Sequence, residues 1–311
     1  MPPRIAIVGA TATGKSALAV AVARRHGGEV VNADALQVYR GLEIGTAKPA
    51  PELRAAAPHH LFDLLAPEEG CSAAWLAELA RSALGEIAAR GRPAILVGGG
   101  GFYLQAILDG LGPVPPTPPE VRELWRDRLE REGLPALAAE LARRDPATAS
   151  RLSPGDRHRI LRALEVEDAT GEPLSAWHAR GPIGASPLAA LRIGLTLPRA
   201  LLYDRIEQRV REMIAAGWVD EVERLLAAGV AASAPAFQAL GYREIVAVLE
   251  GRMRLAEAEQ RIVKATRRYA KRQQTWFRRD PRIRWFDARE SDGAVHFIAA
   301  FMSGEGEGVE P

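Results

Sequence analysis

The first residues of the chain form its clearest chemical pattern. The motif G-x-x-x-x-G-K-[ST] is matched by Gly9-Ala10-Thr11-Ala12-Thr13-Gly14-Lys15-Ser16, between an apolar run and a segment typical of a helix. In such a loop, backbone N–H groups and the start of a helix face an anion. Lys15 adds a positive charge, and Ser16 can reach a Mg²⁺ ion. The loop predicts binding of a diphosphate-bearing molecule. It leaves open which molecule binds and whether a phosphoryl group is transferred.

An acidic residue is expected beside that loop. Asp34 directly follows the second apolar run, Glu29-Val30-Val31-Asn32-Ala33, whereas the third run, Ala94-Ile95-Leu96-Val97, ends in four glycines. Because the carboxyl ends of strands in a doubly wound sheet open onto one crevice, Asp34 is predicted within a few ångströms of the loop. A carboxylate there could hold a water of Mg²⁺ or take a proton from an incoming nucleophile. The alternative is a structural role, as the cap of the turn Ala35-Leu36-Gln37.

Positive charge is concentrated near the end of the chain. The segment from Arg261 to Arg284 has ten Lys or Arg and one acid, a local charge of +9, whereas the whole chain carries +2. Arg268, Lys271 and Arg272 are three and four residues apart, which predicts one shared helical face. RNA or DNA could lie along such a stripe, with a steep salt dependence. The alternative is a solvated amphipathic helix. A second basic cluster lies at 157–162.

The order of the elements predicts how these residues are positioned. Apolar runs typical of buried strands alternate with helical segments, which indicates an α/β protein with a parallel sheet and helices on both faces. Five prolines between Gly112 and Pro119 indicate a stiff connector. Residues 113–185 are interpreted as an inserted helical lobe, residues 1–112 and 186–302 as the catalytic core, and residues 303–311 as a disordered tail.

The composition excludes several classes of protein. Of the 311 residues, 47% are apolar and 26% charged, which is typical of a globular protein. Cys71 is the single cysteine, which excludes an intramolecular disulfide framework and a Cys-rich zinc site. The single cysteine favours a reducing, cytoplasmic setting. No apolar stretch approaches ~18 residues and no secretory leader is recognisable, so no membrane contact is expected. The adjacent pair His59-His60 is poorly spaced for one metal ion and is interpreted as structural.

Several motifs, in the same order, resemble those of the bacterial tRNA dimethylallyltransferases over nearly the whole chain. Besides the phosphate loop, the matching stretches are Asp34-Ala35-Leu36-Gln37-Val38-Tyr39-Arg40, Ile44-Gly45-Thr46-Ala47-Lys48-Pro49, Arg205-Ile206-Glu207-Gln208-Arg209, Leu240-Gly241-Tyr242-Arg243-Glu244 and Lys271-Arg272-Gln273-Gln274-Thr275-Trp276-Phe277-Arg278. The resemblance implies a nucleotide-kinase-like phosphate-loop fold. It also implies transfer of a dimethylallyl group from dimethylallyl diphosphate to N6 of the adenosine just 3′ of the anticodon, in tRNAs reading codons that start with U.

The resemblance also implies roles for individual residues. The residue matching Asp34 acts as general base in the family, while Lys15 and Arg209 stabilise the leaving diphosphate. Mg²⁺ is the implied cofactor, with Ser16 as its ligand, and a monomer is expected. The diphosphate would be bound by Gly9, Thr11, Ala12, Thr13, Gly14, Lys15, Ser16 and Arg209. Contacts to the anticodon stem-loop of tRNA are implied for Asp34, Ala35, Leu36, Gln37, Gly100, His158, Arg159, Ile160, Leu161, Arg162, Gln238, Ala239, Leu240, Gly241, Tyr242, Arg243, Lys271, Arg272, Gln273, Gln274, Thr275, Trp276, Phe277 and Arg278.

One position departs from the family pattern. The family usually reads G-G-T-G-x-Y after the third strand, whereas this chain reads Gly98-Gly99-Gly100-Gly101-Phe102-Tyr103. Gly100 therefore lacks a hydroxyl near the RNA. Loss of one neutral hydrogen bond is worth ~1 kcal/mol, which predicts weaker positioning of RNA and an unchanged reaction.

Two other functions are compatible with the phosphate loop. A small-molecule or nucleoside kinase would use the same loop but would leave the basic segment unexplained. A non-catalytic RNA-binding protein regulated by nucleotide would leave Asp34 and Arg209 without a task.

Overall fold

A computed structural model describes residues 2–181 and 187–304 of the chain. Its described residues form one parallel sheet of six strands in the order β3-β2-β4-β1-β5-β6. The strands are β1 (Arg4–Gly9), β2 (Glu29–Asn32), β3 (His59–His60), β4 (Ala94–Val97), β5 (Leu191–Thr196) and β6 (Ile283–Asp287). Most residues of β1, β2, β4 and β5 are buried, as expected for strands covered on both faces. The predicted fold class is confirmed.

Helices of different lengths connect the strands and cover the sheet. The α-helices of the described residues are α1 (Lys15–His26), α2 (Pro51–Ala55), α3 (Ala73–Ala89), α4 (Gly101–Leu108), α5 (Pro119–Glu132), α6 (Leu134–Arg144), α7 (Pro146–Ala149), α8 (Arg157–Thr170), α9 (Leu174–Ala179), α10 (Arg199–Ala215), α11 (Trp218–Ala227), α12 (Tyr242–Leu249), α13 (Leu255–Phe277) and α14 (Ser291–Ser303). A 3₁₀ turn spans Pro235–Gln238. None of the described helices is both long and apolar enough to cross a membrane.

The chain divides into two compact units. The first contains the chain up to Leu108 and from Leu188 onward, and the second is Asp109–Pro187. The second unit is helical, and its core includes Trp125 and Leu164. It begins four residues earlier than the predicted lobe, directly after α4. The proline-rich connector belongs to it because Arg162 donates hydrogen bonds to the carbonyl oxygen of Pro115 (2.9 Å) and to the hydroxyl of Thr117.

Some elements have no clear sequence signal. The strand β3 has only two residues, too few for a periodicity, and α2 has five. The helix α4 begins inside the glycine run that we expected only to end a strand. The helix α14 packs its apolar residues Ala294 and Ile298 against the core of the sheet, and it continues to Ser303. The disordered tail predicted from residue 303 therefore begins too early. Residues 305–311 lie outside the described residues.

The loops that follow β1, β2 and β4 lie next to one another at the carboxyl end of the sheet. The strand β4 lies between β2 and β1, so the turn that follows it separates Asp34 from the phosphate loop.

At the opposite end of β2, the buried carboxylate of Glu29 accepts hydrogen bonds from Arg90 (2.8 Å) and Arg92 (3.2 Å), and it pairs with His60 (2.7 Å). The bond from Arg90 is the largest of the effects that lower the pKa of Glu29 to about 2. His60 thus has the structural role that we expected.

Candidate active site

The phosphate loop bends sharply between β1 and α1. Gly9 has a φ of 141°, and a Cβ at this position would lie 2.5 Å from the carbonyl oxygen of Leu195, so only glycine fits. Ala12 also has a positive φ, of 64°. The helix α1 begins at Lys15 without a side-chain cap and without an acid in its first turn. Its first N–H groups are therefore left for an anion, as the motif predicts.

The ammonium group of Lys15 folds back onto its own loop. Its Nζ donates a hydrogen bond to the carbonyl oxygen of Ala10 (2.7 Å), which also accepts one from the hydroxyl of Thr13 (2.8 Å). Burial, followed by the charge of Arg209, lowers the pKa of Lys15 to about 7, and Asp34 opposes that shift. Without an anion, Lys15 is therefore only partly charged at neutral pH. A bound diphosphate would favour the charged form.

One oxygen of Asp34 has a structural partner and the other is free. Oδ1 accepts a hydrogen bond from the N–H of Leu36 (3.0 Å), so the capping role that we weighed as an alternative exists. Oδ2 accepts no hydrogen bond from the described residues, and Asp34 lines the cavity described below. Burial raises the pKa of Asp34, against the opposing effects of the Leu36 bond, Lys15 and Arg209. A carboxylate with a raised pKa and a free oxygen suits proton transfer.

The backbone of Asp34 is held by a buried amide that the sequence analysis did not single out. Asn32 lies at the end of β2, and its Oδ1 accepts a hydrogen bond from the N–H of Asp34 (2.9 Å). Its Nδ2 donates to the carbonyl oxygens of Asp34 and Leu61 (3.0 Å each). Asn32 therefore fixes the turn from which the Asp34 carboxylate projects. In the sequence, the one indication of this role is that Asn32 is a polar residue at the end of an apolar run.

Arg209 lies on α10 and faces the same cavity as Lys15 and Asp34. Burial lowers its pKa, while Glu212 and Asp34 raise it. Ile206, Val210 and Met213 also line the cavity and continue the same side of α10. The i, i+4, i+7 spacing of these three residues beside Arg209 could have predicted from the sequence that this side of α10 lines the site.

The cavity has a volume of about 340 Å³, and its lining contains both charged and apolar side chains. Its charged lining consists of Lys15, Arg209 and Arg272 against the single carboxylate of Asp34. Its apolar lining includes Val97, Ile206, Val210, Met213, Trp218, Leu240 and Ile262. Three cations beside one carboxylate favour an anionic ligand. The apolar lining favours a ligand whose remaining part is hydrocarbon or an aromatic ring.

Gln273 connects two of the loops at this edge of the sheet. It is 5% exposed, accepts a hydrogen bond from the N–H of Thr11 (2.9 Å) and donates one to the carbonyl oxygen of Gly99 (2.9 Å). A Cβ on Gly99 would lie 2.3 Å from Gln273 Nε2, so any larger residue there would displace the Gln273 amide. The Gln273 side chain thus forms a bridge between the phosphate loop and the glycine run.

The residues with an implied tRNA contact fall into several groups. Those that line the cavity are Asp34, Leu36, Gln37, Gln238, Ala239, Leu240, Arg272 and Gln273. Arg268 and Lys271 line a different groove, between α10 and α13, together with Lys264. The predicted face of Arg268, Lys271 and Arg272 therefore borders two depressions, with Arg272 at the cavity and the other two residues at the groove.

Some implied contacts are with buried side chains. Tyr242 is fully buried, and Ile160 and Phe277 are 2% and 4% exposed, so these side chains offer no surface to RNA and support their neighbours instead. In the second unit, Arg162 is engaged with the proline-rich connector, whereas His158 and Arg159 are exposed. Arg243 and Arg278 are exposed in the first unit.

The fold and the site define a class of protein, an α/β phosphate-loop protein whose cavity suits an anionic head and an apolar body. A family model described as IPP transferase matches residues 37–280, and one described as isopentenyl transferase matches residues 4–61. The chain therefore belongs to the IPP transferase family, and the resemblance drawn from its motifs is confirmed.

Individual relatives agree with this assignment. The chain is 46% identical to tRNA dimethylallyltransferase 1 of Trichlorobacter lovleyi, covering 96% of this chain and 99% of the relative. It is 48% identical to the tRNA dimethylallyltransferase of Geobacter metallireducens, covering 91% and 92%. Among solved structures, the tRNA isopentenylpyrophosphate transferase of Bacillus halodurans matches with a TM-score of 0.71 and 36% identity over 98% and 96% of the two chains. A eukaryotic dimethylallyltransferase acting on tRNA matches with a TM-score of 0.83 and 26% identity over 97% and 80%.

The lowered pKa of Lys15 predicts that diphosphate binding takes up a proton. At pH 8 the free enzyme holds Lys15 mostly neutral, since its pKa is about 7, and a bound anion restores the charge. Calorimetric titration with a prenyl diphosphate at pH 8, in buffers of different ionisation enthalpy, should therefore detect uptake approaching one proton. The control is Lys15→Gln, which should bind more weakly and take up markedly less. Equal proton uptake by both proteins would contradict the prediction.

Substitution of Gly100 tests the departure from the family pattern. A Cβ there would lie 3.3 Å from Cδ2 of Tyr103, so a small shift of the ring admits a side chain, whereas a Cβ on Gly101 would lie 2.1 Å from Cδ1 of Trp276. Gly100→Thr should fold normally and lower the KM for tRNA by up to about tenfold, the value of one hydrogen bond. Gly101→Ser is the matched control and should lower the melting temperature. A higher KM for Gly100→Thr would rule out the proposed hydroxyl contact.

Proposed function

We propose that the protein transfers a dimethylallyl group from dimethylallyl diphosphate to N6 of an adenosine in tRNA, the one just 3′ of the anticodon. The observation that carries this proposal is the cavity whose lining combines a phosphate loop, cationic side chains, apolar side chains and the carboxylate of Asp34. The names of the relatives support the reaction class and the tRNA substrate. The N–H groups and cations of the loop suit a diphosphate, and the apolar lining of the cavity suits a five-carbon chain.

The donor side of the reaction is electrostatic. The bond between C1 of the dimethylallyl group and the diphosphate oxygen breaks, and the electron pair leaves with the diphosphate. The N–H groups at the start of α1, with Lys15 and Arg209, stabilise the negative charge that grows on the leaving group. A bound diphosphate favours the protonated form of Lys15, so the positive charge of Lys15 is largest when the diphosphate occupies the loop.

The acceptor side requires positioning and proton removal. The exocyclic amine of adenine is a weak nucleophile because its lone pair is delocalised into the ring. As the N6–C1 bond forms, the amine loses one proton, and Oδ2 of Asp34 accepts it. Oδ1 stays bonded to the Leu36 N–H and keeps the carboxylate in place. An adenine that reaches this cavity must leave its stack, as in other enzymes that modify bases.

A Mg²⁺ ion is part of the proposal. The Ser16 hydroxyl makes no side-chain hydrogen bond within the described part of the chain, and Ser16 and Asp34 line the same cavity. Hydroxyl, carboxylate and diphosphate oxygens suit Mg²⁺, which takes few protein ligands and often bridges phosphates. Ser16 would hold the ion directly and Asp34 through water. When bound, the ion neutralises part of the diphosphate charge.

Basic residues exposed on each unit would bind the tRNA substrate. On the first unit these residues are Arg243, Lys271, Arg272 and Arg278, and on the second unit they are His158 and Arg159. Such cations bind phosphates without base specificity. The resemblance implies that the substrate tRNAs read codons that start with U.

One assay separates the proposal from a kinase. The protein is incubated with labelled dimethylallyl diphosphate and unmodified tRNA, and in parallel with ATP and candidate small-molecule acceptors. Transfer of label to tRNA supports the proposal. Consumption of ATP without label transfer would replace it with the kinase, and binding of RNA without either reaction would replace it with a non-catalytic RNA-binding protein.

Replacement of Asp34 tests the general base. Asp34→Asn keeps an oxygen for the Leu36 N–H but removes the basic carboxylate, so the turn should survive while turnover falls by about 10²–10⁴-fold. Binding of the donor diphosphate should stay within a few-fold, measured by calorimetry. Asp34→Ala, which also loses the capping bond, is the comparison for structural effects. Near-native turnover by Asp34→Asn would assign proton removal to another group.

Basic residues in α13 and directly after it predict a charge-dependent affinity for tRNA. Lys271→Glu combined with Arg278→Glu should weaken binding and reduce the slope of log Kd against log salt by roughly one unit per lost phosphate contact. The control with the same change of charge is Arg24→Glu combined with Arg25→Glu, at the exposed end of α1. If both pairs change the slope equally, these α13 residues contribute only to net charge.

A further inference from the structure

A buried carboxylate outside the catalytic group holds an entire loop by its backbone. Glu221 lies on α11 and is 2% exposed. Its Oε2 accepts hydrogen bonds from the N–H groups of Glu43 (2.8 Å) and Ile44 (2.7 Å), and its Oε1 accepts one from Gly45 (3.1 Å). Successive N–H groups directed at one anion form a nest, an arrangement that holds a backbone in one conformation.

The same carboxylate reaches a second segment. Oε1 of Glu221 also accepts a hydrogen bond from the hydroxyl of Tyr242 (2.7 Å), the first residue of α12. Burial and the charge of Glu221 raise the pKa of that phenol, so it remains a donor at physiological pH. Tyr242 directly follows Leu240 and Gly241, at the end of the segment that lines the cavity through Gln238–Leu240.

Trp218, three residues before Glu221, fills the space between the two segments. A Cβ on Gly45 would lie 2.1 Å from its Nε1, and a Cβ on Gly241 would lie 2.2 Å from its Cη2. Both segments therefore rest against one indole ring and one carboxylate. A shift of either segment would break hydrogen bonds to Glu221 or open a gap beside Trp218.

The held loop forms part of the cavity wall. Gly45, Thr46 and Ala47 line the cavity, and the carbonyl oxygens of Thr46 and Ala47 accept hydrogen bonds from Nε2 of Gln37 (3.1 and 3.0 Å). Gln37 lines the cavity three residues after Asp34. The orientation of the Gln37 amide thus depends on a loop whose own conformation depends on Glu221.

We infer that Glu221 is a positioning residue for the nucleic-acid substrate. It holds both the loop that orients Gln37 and the segment that follows Gln238–Leu240, so it sets the distance between these two parts of the cavity lining. This inference rests on the proposed function. It assigns Glu221 no contact with substrate, since its carboxylate is buried among backbone groups and Tyr242. No described residue forms an ion pair with Glu221, so its charge is balanced by dipoles of the elements that it positions.

The substitution Glu221→Gln tests this role with little change of shape. One amide nitrogen replaces one acceptor oxygen, so at least one backbone N–H of the loop faces another donor. The KM for tRNA should rise by roughly tenfold, because hydrogen bonds to a charged acceptor are worth more than neutral ones. The kcat and the KM for dimethylallyl diphosphate should stay within about twofold, because the phosphate loop does not contact Glu221.

Two further variants separate positioning from general stability. Glu29→Gln changes a carboxylate of similar burial at the far end of β2, where it is bonded to Arg90 and His60. It should lower the melting temperature without moving the KM for tRNA. Tyr242→Phe removes one donor from Glu221 and should raise the KM for tRNA less than Glu221→Gln. The effects of the two substitutions should be non-additive when combined, because they share a hydrogen bond.

The outcomes distinguish this inference from the proposed function. A lower melting temperature for Glu221→Gln with an unchanged KM for tRNA overturns the inference, and so does an equal change of both KM values. Failure of the unmodified protein to transfer label overturns the proposed function alone. In that case the affinity for an anticodon stem-loop RNA, measured at equilibrium without donor, replaces the KM. Weakening by Glu221→Gln but not by Glu29→Gln then supports the inference, and equal affinities overturn it.

Discussion

Positive charge kept in a partly buried cavity is the constraint on which this structure depends. A cation out of water is costly unless an anion is present, and burial accordingly lowers the pKa of Lys15 to about 7. The carbonyl oxygen of Ala10 and the charge of Asp34 stabilise the ammonium group while the loop holds no ligand. A diphosphate in the loop would supply the missing negative charge. The chemistry proposed here uses the same arrangement, because charge that grows on the leaving group meets cations already in position.

Buried polar side chains keep the loops of the site in place. Asn32 holds the turn of Asp34, Gln273 bridges the phosphate loop to the glycine run, and Glu221 holds the loop that orients Gln37. Each is satisfied by several hydrogen bonds, so a shift of any loop would leave buried polar groups without partners. The site therefore consists of loops at the carboxyl end of a parallel sheet. Their conformations are determined by side chains from distant parts of the sequence.

Local sequence signals were sufficient for much of this molecule. The phosphate loop is recognisable because glycine positions, a lysine and a following helix all act within eight residues. The long helices and the apolar strands follow from their periodicity, since those strands and helices present regular faces to the core. The elements without a signal were the two-residue strand β3, the short helix α2, and α4, which begins within a glycine run. In each case the segment is too short for a periodicity, or its residues lack the usual propensity.

The sequence by itself determined the fold class, the anion-binding loop, the family and the residue types available for chemistry. Only the tertiary structure decided which of those residues meet. It placed Arg209 and Asp34 at one cavity, directed Arg272 toward that cavity and Lys271 toward a separate groove, and buried Tyr242 and Gln273 as supports. The physical reason is that a helix or strand restricts only its own residues, whereas a cavity is formed by contacts across more than two hundred residues of sequence, as between Thr11 and Gln273. Packing and hydrogen bonds over that separation depend on the whole fold.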